Sequence, residues 1–221
     1  MRKRIGRIIA VVVLLIALLA VGIYGLNMLR SNKNTKIQPS SAPVASASAD
    51  STIEADLLAG CPTDPKPIGD PVKFEIAGTD RSLPIVSLGL DADGAAQAPP
   101  TDQPYTIAWF NEGPRPGSDQ GKVTLSSHTY RFGGAFGNDL LNGELKGGEI
   151  IKISDADGNL ACYKYVSSTH IMEADYDENS DILYAETGDP QIALIVCTDP
   201  TSTGEWLGRM IYYADLVKGN A

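Results

Sequence analysis

The stretch Ile192–Cys197 (IALIVC) decides the fold, because it is an uninterrupted apolar run that ends in a thiol. Its length and its β-branched residues are typical of a buried strand. His128 lies 69 positions upstream, at the end of the run 122–128 (KVTLSSH), and Arg209 lies 12 positions downstream. A thiol nucleophile, an imidazole that takes its proton and a guanidinium that stabilises an oxyanion are together sufficient for acyl transfer.

The rest of the chain from residue 70 onward reads as a series of short strands. Alternating or apolar runs occupy residues 72–76, 82–88, 105–110, 122–128, 149–154, 160–171, 191–197 and 209–217. Gly, Pro and Asp separate these runs, and Asp157-Gly158 is a strong hairpin signal. The pattern predicts an all-β barrel or sandwich of about eight strands.

Two details of this pattern make further predictions. Pro84 lacks a backbone N–H, so its strand is expected near a sheet edge. Residues 136–145 are the only stretch that looks helical, and Asn138 or Asp139 is the expected cap.

The N-terminus predicts where the domain lies. Residues 8–26 form an apolar segment of 19 residues without a charge, which is about the length of a membrane-spanning helix. Four basic residues precede it (Arg2, Lys3, Arg4 and Arg7), so the N-terminus is expected in the cytoplasm. A cleaved signal peptide is the alternative, since Ala20-Val21-Gly22 has the form of a cleavage site. The apolar run continues past that site, which favours an uncleaved single-pass anchor.

These features divide the chain into three parts. Residues 1–30 are the cytoplasmic tip and the transmembrane anchor. Residues 31–57 are rich in Ser and Ala and nearly free of large apolar residues, so they are expected to form a flexible stalk. Residues 58–221 are long enough for one extracellular domain with a single core.

The charge of the chain is distributed unevenly. Residues 31–221 hold 13 basic and 27 acidic side chains, a net charge of −14. Nucleic-acid binding is therefore not expected, because phosphate contacts need a basic face. An acidic stretch contains Asp175, Asp177, Glu178 and Asp181, which suggests calcium, but its spacing does not match an EF-hand loop and favours a solvated loop.

The order His128, Cys197, Arg209 resembles the sortases, which are bacterial cysteine transpeptidases that attach proteins to the cell wall. Other matching pieces are Gly113–Gly117 (GPRPG), Gly133–Asn138 (GGAFGN) and Leu145–Glu149 (LKGGE). The turn at residue 113, the phrase at residue 133 and the single anchor are similar to class E and class F sortases of high-GC Gram-positive bacteria. One departure is that the family usually has Thr-Leu-x-Thr before the cysteine, where this chain has Ala193–Val196 (ALIV).

The resemblance covers residues 70–217 and implies an eight-stranded β-barrel with one or two short helices. It implies that Cys197 is the nucleophile, His128 the proton partner and Arg209 the oxyanion group. No cofactor is expected, and although some sortases use calcium at the loop before the cysteine strand, no metal site is expected here. The substrate would be the C-terminal sorting signal of a secreted protein, of Leu-Pro-x-Thr-Gly (LPxTG) type. A thioester would form on Cys197, and a stem-peptide amine of the peptidoglycan precursor would release it.

Outside the membrane, an odd number of cysteines suggests one pair and one free thiol. If Cys197 is the nucleophile, Cys61 and Cys162 are left to pair. The alternative is that all three are reduced and Cys162 is a small core residue.

Other interpretations stay open at this point. A pilin-polymerising sortase would accept a lysine amine, but it usually carries a lid segment and a second membrane helix, for which the sequence gives no sign. A non-enzymatic adhesion module would make Cys197 an inert core thiol and let Arg209 pair with Glu205 or Asp199. His170, the other histidine, is a weaker candidate base.

Overall fold

The computed structural model describes residues 53–92 and 94–219. The expected anchor and residues 31–52 of the expected stalk lie outside these residues. Residues 53–57 form a short helix, α1, and Glu54 in it forms an ion pair with Lys164. Within the described ranges, no helix is long and apolar enough to cross a membrane.

Eight strands form one sheet in the described part of the chain. They are β1 (Pro71–Ile76), β2 (Ser82–Leu88), β3 (Ile107–Phe110), β4 (Lys122–Ser126), β5 (Ile150–Asp155), β6 (Leu160–Met172), β7 (Gln191–Pro200) and β8 (Trp206–Leu216). A second helix, α2 (Phe136–Leu141), and a 3₁₀ turn (Glu173–Asp175) accompany them. The strands close into a barrel in the order β1-β2-β3-β4-β7-β8-β6-β5, so the predicted eight-stranded barrel is confirmed.

Strand β7 is buried on both faces, which explains its continuous apolar sequence. Ile192, Leu194 and Val196 point into the barrel and belong to its main core. Ala193 and Ile195 belong to a second cluster on the outer face, together with Leu183 and neighbouring side chains. The connection between β6 and β7 supplies Leu183, so this connection covers the outer face of β7 and β8.

Pro84 does not mark a sheet edge, contrary to the prediction. Strand β2 lies between β1 and β3, and Pro84 is paired with Lys73 of β1. The pairing with β3 begins only at the next residue, where Ile85 faces Ile107. The missing N–H is therefore tolerated in an interior strand, because Pro84 precedes the part of β2 that pairs with β3.

The predicted cap of the short helix is also wrong. The N-cap position of α2 is Ala135, and it makes no side-chain cap bond. Asn138 lies inside the helix, and its amide group bonds both the N–H and the C=O of Tyr130. Asp139 forms an ion pair with Arg81 at 2.8 Å. These polar side chains tie α2 to its surroundings instead of capping it.

Cys61 and Cys162 form a disulfide, with Cα atoms 5.8 Å apart, so the predicted pair is confirmed. Cys162 is a buried residue of β6, and the bond closes a loop with a sequence separation of 101. Loop-closure entropy for such a length corresponds to about 4–5 kcal/mol of stabilisation. Cys197 is the one free cysteine of the described residues.

Candidate active site

Cys197 and Arg209 lie directly opposite each other on two neighbouring strands. Strands β7 and β8 pair antiparallel, and their register joins Cys197 to Arg209 and Ile195 to Ile211. Directly opposed side chains of an antiparallel pair lie on the same face, with Cβ atoms about 5 Å apart. Because Ile195 and Ile211 belong to the outer cluster, the thiol and the guanidinium lie on the outer face, not in the barrel interior.

His128 follows the end of β4, the strand on the other side of β7. Strands β4 and β7 pair in parallel, and the last register pair is Ser126 with Ile195. Ser127 continues the ladder, since its N–H donates to the carbonyl of Ile195 at 3.2 Å. Two residues beyond the last pair, the chain has reached His128, just past the end of β4, and Cys197, which still lies on β7. The topology therefore brings the predicted imidazole to the level of the predicted nucleophile.

The position of His128 is fixed by its backbone and by its ring. The N–H of Gly137 in α2 donates to the carbonyl of His128 at 2.8 Å. A Cβ at position 137 would lie 2.5 Å from that oxygen, so only glycine allows this approach. The His128 ring uses Nε2 to contact the carbonyl oxygen of Pro99 at 2.7 Å. A carbonyl oxygen only accepts, so Nε2 carries the proton in this bond and Nδ1 is left to exchange a proton with a thiol.

Within the described residues, no hydrogen bond joins the His128 ring to the Cys197 thiol. The two groups stand at the same level of neighbouring strands, and the ring is held by Pro99. Catalytic hydrogen bonds often form only when a substrate is bound, so a base without this bond in the free protein is compatible with the chemistry.

Arg209 makes three hydrogen bonds, and two of its N–H donors are not used by them. Its Nη1 donates to the carbonyls of Trp206 and Gly208 at 2.8 and 2.9 Å. Its Nη2 donates to Glu173 Oε2 at 2.9 Å. A guanidinium carries five N–H donors in a fixed fork. The Nε–H and one Nη2–H therefore make none of these bonds, and they can donate hydrogen bonds to a developing oxyanion.

Burial raises the pKa of the Cys197 thiol above its ordinary value. The positive charge of Arg209 lowers this pKa, and the negative charge of Glu173 raises it. Burial is the largest of the three effects, so the thiol is mainly protonated at neutral pH. A base beside it is therefore needed to generate the thiolate, which is the nucleophilic form.

Two clefts converge on the thiol, and both are lined in part by Glu173, Cys197 and Arg209. The first cleft has a volume of about 390 Å³, and the connection between β6 and β7 forms much of its wall. Its apolar lining includes Ile171, Tyr176, Leu183, Tyr184 and Ile195. The second cleft has a volume of about 680 Å³ and lies towards the turn between β7 and β8. Its further lining residues are Met172, Ala174, Glu205, Trp206 and Leu207.

Comparison with known proteins identifies the family. The family model described as "Sortase domain" matches residues 74–217, which is more than half of the chain. This chain belongs to the sortase family. The activity of that family is cysteine transpeptidation, and the match spans the barrel from β1 to the end of β8.

Several solved sortase structures are similar to this sortase at low identity. Sortase A of Listeria monocytogenes is 18% identical, with a TM-score of 0.45, covering 67% of this chain and 88% of that one. Sortase C1 of Streptococcus suis is 16% identical, with a TM-score of 0.47, covering 85% and 91%. Sortase C-1 of Actinomyces oris is 21% identical, with a TM-score of 0.47, covering 77% and 96%. A search of the curated proteins finds no match to this chain.

The structure adds two groups that the sequence did not single out. Glu173, in the acidic region after β6, was not predicted as a site residue. Its approach to Arg209 depends on the pairing of β6 with β8, in which Ile171 faces Arg209. The carbonyl of Pro99 is a backbone group, and its identity carries no sequence signal.

Other residues considered in the sequence take different places. Arg209 pairs with Glu173, whereas neither Glu205 nor Asp199 bonds it. His170 contacts Asp199 Oδ2 at 2.6 Å and Thr198 Oγ1 at 3.2 Å, so its Nε2 is occupied. Val196 is 1% exposed and packs in the barrel core, so a side chain at that position points away from the thiol.

The acidic stretch after β6 is held by hydrogen bonds within the stretch and from Lys122. Asp177 Oδ1 accepts from the backbone N–H of Asn179 at 2.9 Å, and Lys122 donates to the carbonyl of Asp181. In the ranges that the structure describes, no three His, Cys, Asp or Glu side chains are grouped to hold a metal ion.

Proposed function

We propose that this sortase is a single-pass membrane protein that cleaves an LPxTG-like sorting signal through a thioester on Cys197 and transfers the protein to a cell-wall amine. In this proposal the catalytic residues are Cys197, His128 and Arg209. The domain lies outside the cell, held by the apolar segment 8–26. The resemblance to class E and class F sortases stays a prediction.

The register of three strands is the observation that carries the proposal. Arg209 faces Cys197 across the β7–β8 pair, and the parallel β4–β7 pair leads His128 to the same level. A nucleophile, a base and an oxyanion donor on one face meet the requirements of acyl transfer. A guanidinium with two unused N–H donors opposite the thiol suits oxyanion binding, whereas an inert core thiol would pack against apolar side chains.

The reaction follows from these groups. His128 takes the thiol proton at Nδ1, and the sulfur attacks the carbonyl carbon of the substrate threonine. The N–H donors of Arg209 stabilise the oxyanion, and the imidazolium returns its proton to the leaving amine. A thioester remains on Cys197, and an acceptor amine then attacks it, forming an amide and restoring the thiol.

The first cleft supports a sorting signal that begins with apolar residues. Aliphatic and aromatic side chains make up most of its wall, which also includes Asp91 and Glu173, and the cleft leads to the thiol. A leucine and a proline buried there would place the threonine carbonyl beside Cys197 and Arg209. Apolar contacts of this kind contribute about 25 cal/mol per Å² of buried surface.

The purified full-length chain tests the proposal with quenched-fluorescence peptides that carry different sorting motifs. We expect cleavage of an LPxTG-like peptide, transfer to a stem-peptide amine and no reaction with Cys197→Ala. Transfer to a pilin-like lysine but not to a stem peptide would favour the polymerising alternative. Absence of cleavage across the whole panel would contradict the proposal.

The cellular location has its own test. In intact cells, a membrane-impermeant maleimide should label Cys197, and the protein should sediment with the membrane fraction. Labelling only after lysis would contradict an extracellular domain. The Cys197→Ala variant is the matched control, because it lacks the one free thiol of the described domain.

A further inference from the structure

Asp199 is held in a conformation that strand residues rarely adopt. Its φ is 56°, and it is the one non-glycine residue with a positive φ among the residues that the structure describes. A left-handed φ is uncommon outside glycine, although Asp adopts it more readily than most residues, and it persists where the surroundings hold it. Asp199 lies near the end of β7, two positions beyond Cys197. Its surroundings therefore fix the direction of a carboxylate close to the candidate active site.

Two donors hold the Asp199 carboxylate. The hydroxyl of Thr198 donates to Asp199 Oδ2 at 2.7 Å, and Nε2 of His170 lies 2.6 Å from the same oxygen. An ionised carboxylate only accepts, so Nε2 of His170 carries the proton in this bond. The hydrogen bond from Thr198, and then that from His170, hold the pKa of Asp199 below its ordinary value, so this group is charged at neutral pH.

Gly208 provides the space for this arrangement. It faces Thr198 in the register of β7 with β8, and β8 lies between β7 and β6, the strand of His170. A Cβ at position 208 would overlap with Asp199 Oδ2 and Thr198 Oγ1, and it would lie 2.8 Å from His170 Nε2. The carboxylate therefore lies over the backbone of Gly208, in a space that only glycine leaves open. We refer to His170, Thr198 and Gly208 together as the Asp199 clamp.

The clamp holds the carboxylate on the opposite face of the sheet from the thiol. Side chains alternate along a strand, so the face of Thr198 and Gly208 is the inner one. Cys197 and Arg209 lie on the outer face. Because its carboxylate bonds Thr198 and fills the space of a Cβ at Gly208, Asp199 points to the inner face. A regular extended residue at position 199 would instead share the outer face with Cys197.

On the outer face, the Asp199 carboxylate would compete for Arg209. Position 199 is a diagonal neighbour of Arg209 across the β7–β8 pair, and diagonal neighbours about 7–8 Å apart are within reach of a long side chain. A carboxylate accepts two parallel bonds from a guanidinium fork. Such a pair would occupy the Nε–H and Nη2–H donors that the oxyanion needs. It would also place a further negative charge beside the Cys197 thiol.

We propose that the Asp199 clamp keeps the carboxylate on the inner face and thereby leaves the N–H donors of Arg209 available to the oxyanion. Its three residues are positioning residues, because they act through Arg209 and not on the substrate. The inference rests on the proposed transpeptidase function and on the role of Arg209 in it. It also explains why Arg209 pairs with Glu173 and not with Asp199.

The test releases the carboxylate and then removes its charge. The variant His170→Ala/Thr198→Val lacks both donors, so the carboxylate can pair with Arg209. We expect acylation of the full-length protein by an LPxTG-like peptide to slow about tenfold, which is less than the 10²–10³ for complete loss of an oxyanion donor, because a partly exposed ion pair is weak. Adding Asp199→Asn should restore the rate to within about twofold of wild type, since the amide has no charge.

The single variants and a matched control sharpen this test. His170→Ala alone keeps the Thr198 bond, so it should retain most activity. Asp215→Asn is the control, because Asp215 is also a carboxylate of the β7–β8 pair but bonds Gln191 at the other end of β7. Added to the double variant, Asp215→Asn should not restore the rate. Gly208→Ala displaces the carboxylate by a second route, and Asp199→Asn should restore that variant as well.

Alkylation of Cys197 gives a second readout that needs no turnover. A carboxylate released to the outer face adds a negative charge near the thiol and disfavours the thiolate. The midpoint of iodoacetamide labelling should therefore move to higher pH in the double variant and return when Asp199→Asn is added. A purely structural role of the clamp would not give a shift that a single change of charge reverses.

Two results would overturn the inference. The first is a double variant with the acylation rate and labelling midpoint of wild type. The second is a slow double variant that Asp199→Asn does not restore, since the clamp would then support the fold alone. If wild-type protein cleaves no sorting peptide, the proposed function fails, whereas the labelling midpoint still tests where the carboxylate lies.

Discussion

Cys162 and Cys197 occupy similar sequence surroundings but have different roles. Both lie on long strands next to apolar residues. Cys162 is 1% exposed and bonded to Cys61, at the end of the domain where the chain enters the barrel. Cys197 is only partly buried, faces Arg209 and opens onto two clefts.

The difference shows that the neighbours across the sheet decide the role of a thiol. Cys162 faces Lys152 of β5 in the register, and its sulfur is used by Cys61. Cys197 has a guanidinium opposite and an imidazole just beyond the end of the neighbouring strand β4. Local composition does not distinguish the two settings, whereas strand order and register do.

Substitution of each cysteine should separate the two roles most clearly. Cys197→Ala should abolish both cleavage and transfer, because no other side chain can form the thioester. The double variant Cys61→Ser/Cys162→Ser should retain the chemistry but lose up to about 4–5 kcal/mol of unfolding free energy. Peptide cleavage and chemical denaturation of the same preparations measure the two effects.

Thiol counting provides the control for this pair of variants. The unfolded but unreduced protein should show one reactive thiol, that of Cys197. Three reactive thiols would refute the disulfide, and residual turnover of Cys197→Ala would refute the nucleophile.

The two histidines extend the comparison. His128→Ala should reduce the cleavage rate by about 10²–10⁴, the range for loss of a general acid–base group. His170→Ala should retain most activity, because the His170 ring is bound to Asp199 and Thr198. Steady-state rates with one sorting peptide compare them directly. A larger loss for His170→Ala than for His128→Ala would show that His170, not His128, is the base.

Arg209→Lys should lose about 10²–10³ in rate although the charge is kept, as for one oxyanion donor. An ammonium group cannot reproduce the fork that binds Trp206, Gly208 and Glu173 at the same time. The rate of acyl-enzyme formation is the quantity to measure. Near-normal acylation by the lysine variant would remove Arg209 from the oxyanion site.

The smallest expected effect is on the pKa of the Cys197 thiol. Glu173 raises this pKa, so Glu173→Gln should move the midpoint of thiol alkylation to lower pH. Arg209 lowers the same pKa, so Arg209→Gln should move the midpoint to higher pH. The pH dependence of iodoacetamide labelling measures both shifts. Glu186→Gln is the control that should leave the midpoint unchanged, because Glu186 lines a separate cavity near Pro114. Shifts of the same sign in both variants would contradict the assigned charges.

The sequence predicted the parts of this site that depend on local pattern. Period and turn residues located the eight strands, and β2 was predicted with the same bounds as observed. Strand β4 was predicted two residues too long, since it ends at Ser126 before His128. Only the family resemblance indicated that His128, Cys197 and Arg209 form one active site.

The features that the sequence did not predict depend on contacts between distant segments. Glu173 reaches Arg209 through the pairing of β6 with β8, and Pro99 binds His128 through a backbone carbonyl. The cap of α2 was mispredicted because Asn138 bonds Tyr130 instead of its own helix. None of these contacts leaves a signal in the composition or the hydrophobic period of one segment, so the sequence alone could not predict them.

The most direct test of the central claim is the mass of the enzyme trapped during turnover. Full-length protein is mixed with an LPxTG-like peptide, quenched in acid and digested, and the acylated residue is located by mass spectrometry. The account predicts a thioester on Cys197 that hydroxylamine removes and that is absent from Cys197→Ala. Cleavage that proceeds with no adduct on Cys197, or with an adduct on another residue, would contradict it.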